Sequence, residues 1–247
     1  MSGEYEDEEL EQLLRAPSVP LGVVQLQTAA ALRELGLTNL ATQRLGAGNF
    51  GVAYRVVLGG DGSSVLKLTR DPFELIASLG LEGKRTRNVV QIHKVWAVPG
   101  TTGNHGRFLP WYVVHRALLN PISKRDAHLI ETMYEQFMER NDLKFPTPNA
   151  HAMRQRWRTV LQDFVDGKPD VDRALTMLDA IAAGARELAD VGIDWTDMHS
   201  DNLMRDDRNV LRIVDVGYNN PRHETKLVAP PLTVESAREY AKAVRAA

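Results

Sequence analysis

The chain has 247 residues, 43% of them apolar and 25% charged, which suits one compact domain or two small lobes and excludes a disordered or collagen-like chain. Thirty basic residues stand against 32 acidic ones, a formal charge of −2, so a broad nucleic-acid-binding surface is not expected. There is no cysteine, which excludes disulfides, thiolate catalysis and Cys-ligated zinc or iron–sulfur sites.

Residues 1–12 hold six acids and no bases and read as a solvated acidic tail; the rest of the chain carries 30 bases against 26 acids. No apolar run approaches the ~20 residues of a membrane span. The acidic start is unlike a signal or transit peptide, so the expectation is a soluble cytoplasmic protein with no membrane and no nucleic-acid partner. A short helix or arm is expected over 1–15, interrupted by Pro17 and Pro20, and a helix over 22–35, with Gly36 as its cap.

From Ala41 the texture changes. Residues 41–47 and 51–58 read as two strands joined by a glycine turn, with Val52, Tyr54, Val56 and Leu58 alternating. A hairpin signal at Gly59–Gly62 leads to a third strand over Ser64–Leu68. Asp71-Pro72-Phe73-Glu74 resembles a capping box with proline at the first helical position, predicting a short helix over 72–79. Strands follow over Val89–Val98 and Phe108–Leu118, joined by a glycine-containing loop. Helices are expected over Ser123–Arg140, His151–Val165 and Val171–Val191, the last with Ala174, Leu178, Ile181, Ala185 and Leu188 on one face. Residues 193–217 return to short apolar stretches with a turn at Asp206–Asn209, and a final helix is expected over 234–244. The expected fold is α+β, with an N-terminal extension (1–40), a β-rich lobe (41–118) and a helical lobe (119–247).

Three stretches can carry chemistry. Gly46-Ala47-Gly48-Asn49-Phe50-Gly51-Val52 fits G-x-G-x-x-G-x-V. Strand signals on both sides exclude the strand-to-helix dinucleotide fingerprint, and the Gly-Lys-Ser/Thr of a Walker loop is missing. What remains is an ordinary hairpin or a loop that lays backbone N–H groups over nucleotide phosphates. Lys67 lies 16 residues after Gly51 on the following strand, either as an outward, solvated side chain or as a phosphate contact. Glu74 is either its ion-pair partner or a capping-box residue, with Glu82 as the alternative partner beyond the expected helix.

The third stretch is Asp197-Met198-His199-Ser200-Asp201-Asn202, followed 13 residues later by Asp215-Val216-Gly217. Asp197 is placed as a base beside a hydroxyl nucleophile. The Asn202 amide oxygen and the Asp215 carboxylate are hard ligands suited to Mg²⁺ and phosphate oxygens. The alternative is a turn-rich loop of helix-capping Asp and Asn. No second histidine supports zinc near His199, which reads as a loop-orienting residue. His93, His105, His115, His128, His151 and His223 show no ligand spacing. Trp96, Trp111, Trp157 and Trp195 read as core anchors, and Arg154, Arg156 and Arg158 as a solvated basic helix face. With no G-x-S-x-G, a serine hydrolase is not expected.

Taken together, glycine loop, lysine, acidic helix residue, Asp–Asn loop and Asp-Val-Gly follow the order of the protein-kinase-like superfamily, which the chain resembles over about residues 41–217. Asp197 to Asn202 has the five-residue spacing of H-R-D-x-x-x-x-N, and Asp215-Val216-Gly217 stands where D-F-G belongs. Trp195-Thr196 replaces His-Arg, and Asp197-x-His199-x-x-Asn202 is similar to the D-x-H-x-x-N loop of aminoglycoside-phosphotransferase-type and other atypical kinases. Thirty residues follow Gly217, without a convincing A-P-E, so the likeness is to compact kinase-like proteins of bacteria and phages, with a reduced helical C-lobe. For a phage-encoded chain the compartment would be the host cytoplasm.

The resemblance implies that Gly46, Ala47, Gly48, Asn49, Phe50, Gly51 and Val52 cover the ATP phosphates. Lys67 would contact them and pair with Glu74. Val113 to Arg116 (Val114, His115 and Arg116 above all) would form the hinge beside adenine. Asp197 would accept the substrate proton, and Asn202 and Asp215 would hold Mg²⁺. The implied activity is Mg-ATP-dependent transfer of a γ-phosphoryl group to a protein Ser/Thr hydroxyl. The alternatives are a small-molecule acceptor or a nucleotide-binding pseudokinase regulator.

Overall fold

The computed structural model describes residues 43–48, 51–57, 63–69, 71–98, 111–140, 150–165, 167–217 and 239. The expected helices over 1–15 and 22–35, the Gly59–Gly62 turn and the loop before residue 108 lie outside those residues, as does the final helix except for Glu239. The fold is α+β. Contacts divide the described chain into two compact units, one formed by 43–72 and 94–116, the other by 73–93 and 117–217.

The first unit is built on strands β1 (Gln43–Gly48), β2 (Gly51–Val57) and β3 (Ser63–Thr69). Together with β4 (Ile92–Ala97) and β5 (Tyr112–Ala117) they make a five-stranded sheet in the order β1-β2-β3-β5-β4. β1 and β2 pair antiparallel as a tight hairpin, with Gly48 opposite Gly51 and a register shift between Arg44 and Gly46. Along β2, Val52 and Val56 are buried, Tyr54 is half-buried and Arg55 is exposed. β3 and β5 are interior strands and carry nearly continuous buried runs, Val65, Leu66 and Leu68 on one, Tyr112 to His115 on the other. The buried His115 is satisfied by Ser64, whose Oγ lies 2.8 Å from Nε2.

The second unit holds helices α1 (Pro72–Leu81), α2 (Lys124–Glu139), α3 (Ala150–Leu161) and α4 (Gly167–Ala189). A three-stranded sheet of β6 (Asn120–Pro121), β7 (Leu203–Arg205) and β8 (Leu211–Ile213) completes it. Proline opens α1, where a missing N–H does no harm. Ser123 caps α2, its side chain accepting from the Asp126 amide at 3.0 Å. On α4 the face Val171, Ala174, Leu178, Ile181, Ala185 and Leu188 is buried, and each large apolar side chain so buried contributes about 1.5–3 kcal/mol relative to exposure. The helix closes with Gly192 donating to Ala189 O and Ile193 to Leu188 O, both at 3.0 Å. This is the paired bonding of a Schellman ending, and it turns the chain directly into the 193–199 segment.

Several expectations need correction. α1 runs through Gly80 to Leu81 rather than stopping at 79, because a glycine there lets the helix lie against Val191. α4 starts four residues early, at Gly167, since Pro169 is tolerated in a first turn. β4 begins at Ile92 rather than Val89: Val89 bridges Ile213 in parallel, and Val90 N donates to Ile213 O at 2.8 Å. The arginines around Trp157 are not simply a solvated face. Arg154 bonds Asp179 and the Leu175 carbonyl, and Arg158 bonds Asp172 at 2.9 Å, so α3 is stapled to α4 by charge. The four tryptophans are buried, as expected.

A second close approach in this unit, besides Gly80 against Val191, is at Gly184. A Cβ there would stand 2.8 Å from the Asn88 carbonyl oxygen and 2.8 Å from Ile213 Cδ1. Alanine favours a helix over glycine by about 1 kcal/mol, so propensity and sterics oppose each other. Gly184→Ala is expected to destabilise the protein by roughly 1–3 kcal/mol in urea unfolding. A gain in stability would show that α4 and β8 are not packed this closely.

Candidate active site

The loop 195–202 and the segment 214–217 lie together in the second unit. The loop is short and irregular, ending in a single 3-10 turn, Ser200–Asn202. Backbone bonds hold that turn: Asn202 N donates to His199 O at 3.1 Å, and Val214 N donates to Asn202 O at 2.8 Å. Trp195, only 1% exposed, donates its indole N–H to the Asp215 carbonyl at 2.9 Å. The segment carrying Asp215, just past β8, is thus tied to both ends of the loop carrying Asp197 and Asn202.

Within the loop the Asn202 amide nitrogen donates to Asp197 Oδ2 at 2.8 Å and to the Asp197 carbonyl at 3.1 Å. A carboxylate can only accept, so the NH₂ end must face Asp197 and the amide oxygen must face away. Asp197 Oδ1 lies 3.8 Å from His199 Nε2, beyond hydrogen-bond reach. Asp215 Oδ1 accepts from the Gly217 amide at 3.3 Å, a local bond that orients the carboxylate. Asp201 is exposed.

The supporting hairpin is over-determined by charge. Asp206 accepts from Arg208 N and Val210 N, and from both Nε and Nη2 of Arg212; Arg212 Nη1 reaches the carbonyls of Thr86 and Val89. Burial would raise the Asp206 carboxyl, but the Val210 amide and the Arg212 guanidinium more than offset it and hold it below the ordinary range. Asp126, 1% exposed, takes Arg173 at 2.5 Å and Arg205 at 3.0 Å, and its carboxyl is likewise held low despite burial. Such groups contribute stability above the ordinary carboxylate range and lose it as the pH falls through their lowered values.

Residues missed in the sequence stand next to the site. Glu131 on α2 accepts from the Ser200 amide at 2.7 Å and lies 3.4 Å from His199 Nδ1. Burial pushes its carboxyl up, but the Ser200 bonds and His199 more than offset this and hold it low. Tyr134, one turn on, rests its ring 3.9 Å from the His199 ring, tilted 45°. The one local signal is that Glu131 and Tyr134 share a helix face; no pattern in the chain links them to residue 199.

The remaining site candidates divide between the units. In the first, Gly46 to Gly48 and Gly51 to Val52 form the β1–β2 hairpin, while Asn49 and Phe50 lie outside the described residues. Lys67 is half-buried on β3, opposite Ala53. Val114, His115 and Arg116 are within β5, where the side chains of Val114 and His115 are buried. In the second unit, Glu74 is 1% exposed in the first turn of α1.

Among the described residues no group of three His, Cys, Asp or Glu side chains forms a ready-made metal cage. The donor set at the loop fits a different kind of site. One carboxylate and one outward amide oxygen suit Mg²⁺, which keeps water and phosphate oxygens among its ligands. Among the described residues no helix is long and apolar enough to cross a membrane. No protein-family model matches the chain, and no curated protein matches it.

The two outer glycines of the hairpin differ in what holds them. A Cβ on Gly51 would stand 2.1 Å from the Leu68 carbonyl oxygen, whereas nothing among the described residues lies within 4 Å of one on Gly46. Gly51→Ala is therefore expected to destabilise the protein by on the order of 3 kcal/mol. Gly46→Ala should change stability by less than about 0.5 kcal/mol. Equal losses in urea unfolding would contradict this geometry.

Proposed function

We propose that the protein is a Mg-ATP-dependent phosphotransferase that moves the γ-phosphoryl group of ATP to a hydroxyl, with a protein Ser/Thr side chain as the acceptor. The observation that carries this reading is the 2.8 Å bond between the Asn202 amide and Asp197, on a loop tied to Val214 N by the Asn202 carbonyl and to the Asp215 carbonyl by the Trp195 indole. It leaves one Asp197 oxygen to take a proton and turns the Asn202 oxygen outward as a ligand.

In this mechanism Asp197 Oδ1 takes the acceptor's hydroxyl proton as its oxygen bonds to the γ-phosphorus. The bond from that phosphorus to the bridging oxygen breaks, and ADP leaves with the electron pair. Asn202 and Asp215 would hold Mg²⁺, which supplies charge neutralisation on the phosphates. By the resemblance, the Gly46–Val52 hairpin and Lys67 are assigned to the phosphates and Val114 to Arg116 to the adenine side. The D-x-H-x-x-N pattern favours a small-molecule acceptor as the second reading.

The test is transfer from γ-labelled ATP with Mg²⁺, reading label in the protein itself, in casein and in kanamycin separately. Asp197→Ala should lower transfer by at least about 100-fold while leaving ATP affinity nearly unchanged. Asp215→Ala should weaken the Mg-dependent part of ATP binding by more than about tenfold. Label in kanamycin alone would replace the protein acceptor by a small molecule. ATP binding with no transfer to any acceptor would overturn the enzyme reading in favour of a nucleotide-binding regulator.

A further inference from the structure

We infer that Glu131 is a positioning residue for the catalytic loop, holding Asp197 in place through the Ser200 amide and the His199 ring. The inference rests on the phosphotransferase reading and adds to it a residue from a different element, 66 positions from Asp197 in the chain.

The need for such a residue follows from the loop itself. A single 3-10 turn cannot satisfy its own first N–H groups, which require an acceptor from outside. In a self-sufficient turn the preceding side chain supplies it. Here the preceding residue is His199, in extended conformation, and among the described residues its side chain makes no capping bond. Glu131 supplies the acceptor from α2: Oε1 takes the Ser200 N–H at 2.7 Å, the short distance of a charge-assisted bond.

The second carboxylate oxygen also faces the loop. Oε2 stands 3.4 Å from His199 Nδ1, and the Tyr134 ring lies 3.9 Å from the imidazole, centroid to centroid. The ring is thus bounded on one edge by a carboxylate and on a face by a phenol, although the His199 side chain is 46% exposed. Held there, its Nε2 points toward Asp197 Oδ1, 3.8 Å away, while Asn202 holds Oδ2. Within the loop the base thus has Asn202 bonded to Oδ2 and the Glu131-anchored His199 beside Oδ1, near it but not hydrogen-bonded to it.

A displacement of about 1 Å at a reacting group costs on the order of 100-fold in rate. Glu131→Ala removes both anchors and should lower kcat by about 10–100-fold, with the KM for ATP changed by less than about threefold. Glu131→Gln keeps an oxygen for the Ser200 amide and should recover most of that loss. The experiment measures Mg-ATP transfer by wild type, Glu131→Ala, Glu131→Gln and Asp197→Ala, together with hydrogen exchange at the Ser200 amide by NMR. The expected result is faster Ser200 exchange and lower kcat in Glu131→Ala, with both restored toward wild type in Glu131→Gln. An unchanged kcat in Glu131→Ala, or an unchanged Ser200 exchange rate, would overturn the inference. If wild type and Asp197→Ala are equally inactive, the phosphotransferase reading fails, and with it the catalytic part of the inference. The exchange rate still decides whether Glu131 anchors the loop.

Discussion

A side-chain amide has two chemically different ends, and at Asn202 the Asp197 carboxylate decides which way it faces. The NH₂ end is drawn to Asp197 at 2.8 Å, so the oxygen is presented on the other side. In the proposed site this one contact would orient the base and present the amide oxygen as a hard ligand. Neighbouring bonds fix the backbone on either side of that contact. Val214 N holds the Asn202 carbonyl, and the Trp195 indole holds the Asp215 carbonyl. The indole donates whatever the pH, so this tie between the loop and the Asp215 segment does not titrate.

The scaffold under the loop uses charge where strands are too short to support themselves. β7 and β8 have three residues each, and β6 has two. Asp206 organises their turn, and Asp126 ties the start of α2 to Arg173 on α4 and to Arg205 on β7. Glu187 accepts from the Arg87 and Asn88 amides at 3.1 and 3.0 Å, fixing the segment that bonds to β8. Removing one partner from a buried charged group such as Asp126 leaves the other uncompensated, so these hubs define geometry more than they add net stability.

Much of this architecture was legible in the chain. Alternation marked β2, one apolar face marked α4, and the Asp206–Asn209 turn was read from its residue types. The order of the chemical residues pointed to Asp197, Asn202 and Asp215, and the structure does bring the loop and the Asp215 segment together. What could not be read depends on contacts between distant residues. The helix expected over 72–79 was too short because the fit of Gly80 against Val191 is invisible to local pattern. Val89 looked like part of a strand because its bridge to Ile213 spans over a hundred residues. Glu131 looked like one more helix acid, and its Ser200 partner lies 69 positions away. Local periodicity reports which face is buried; it does not report what lies against it.

The central claim is that Asn202 and Asp215 form the metal end of the site while Asp197 is left free of it to act as the base. The most direct measurement is a crystal structure of the protein with Mn²⁺ and a non-hydrolysable ATP analogue, with the metal located by its anomalous signal. The account predicts one Mn²⁺ bound by the Asn202 amide oxygen, the Asp215 carboxylate and phosphate oxygens, with the Asn202 NH₂ still on Asp197. A metal held elsewhere, or an Asn202 oxygen turned away from the metal and phosphates, would contradict it.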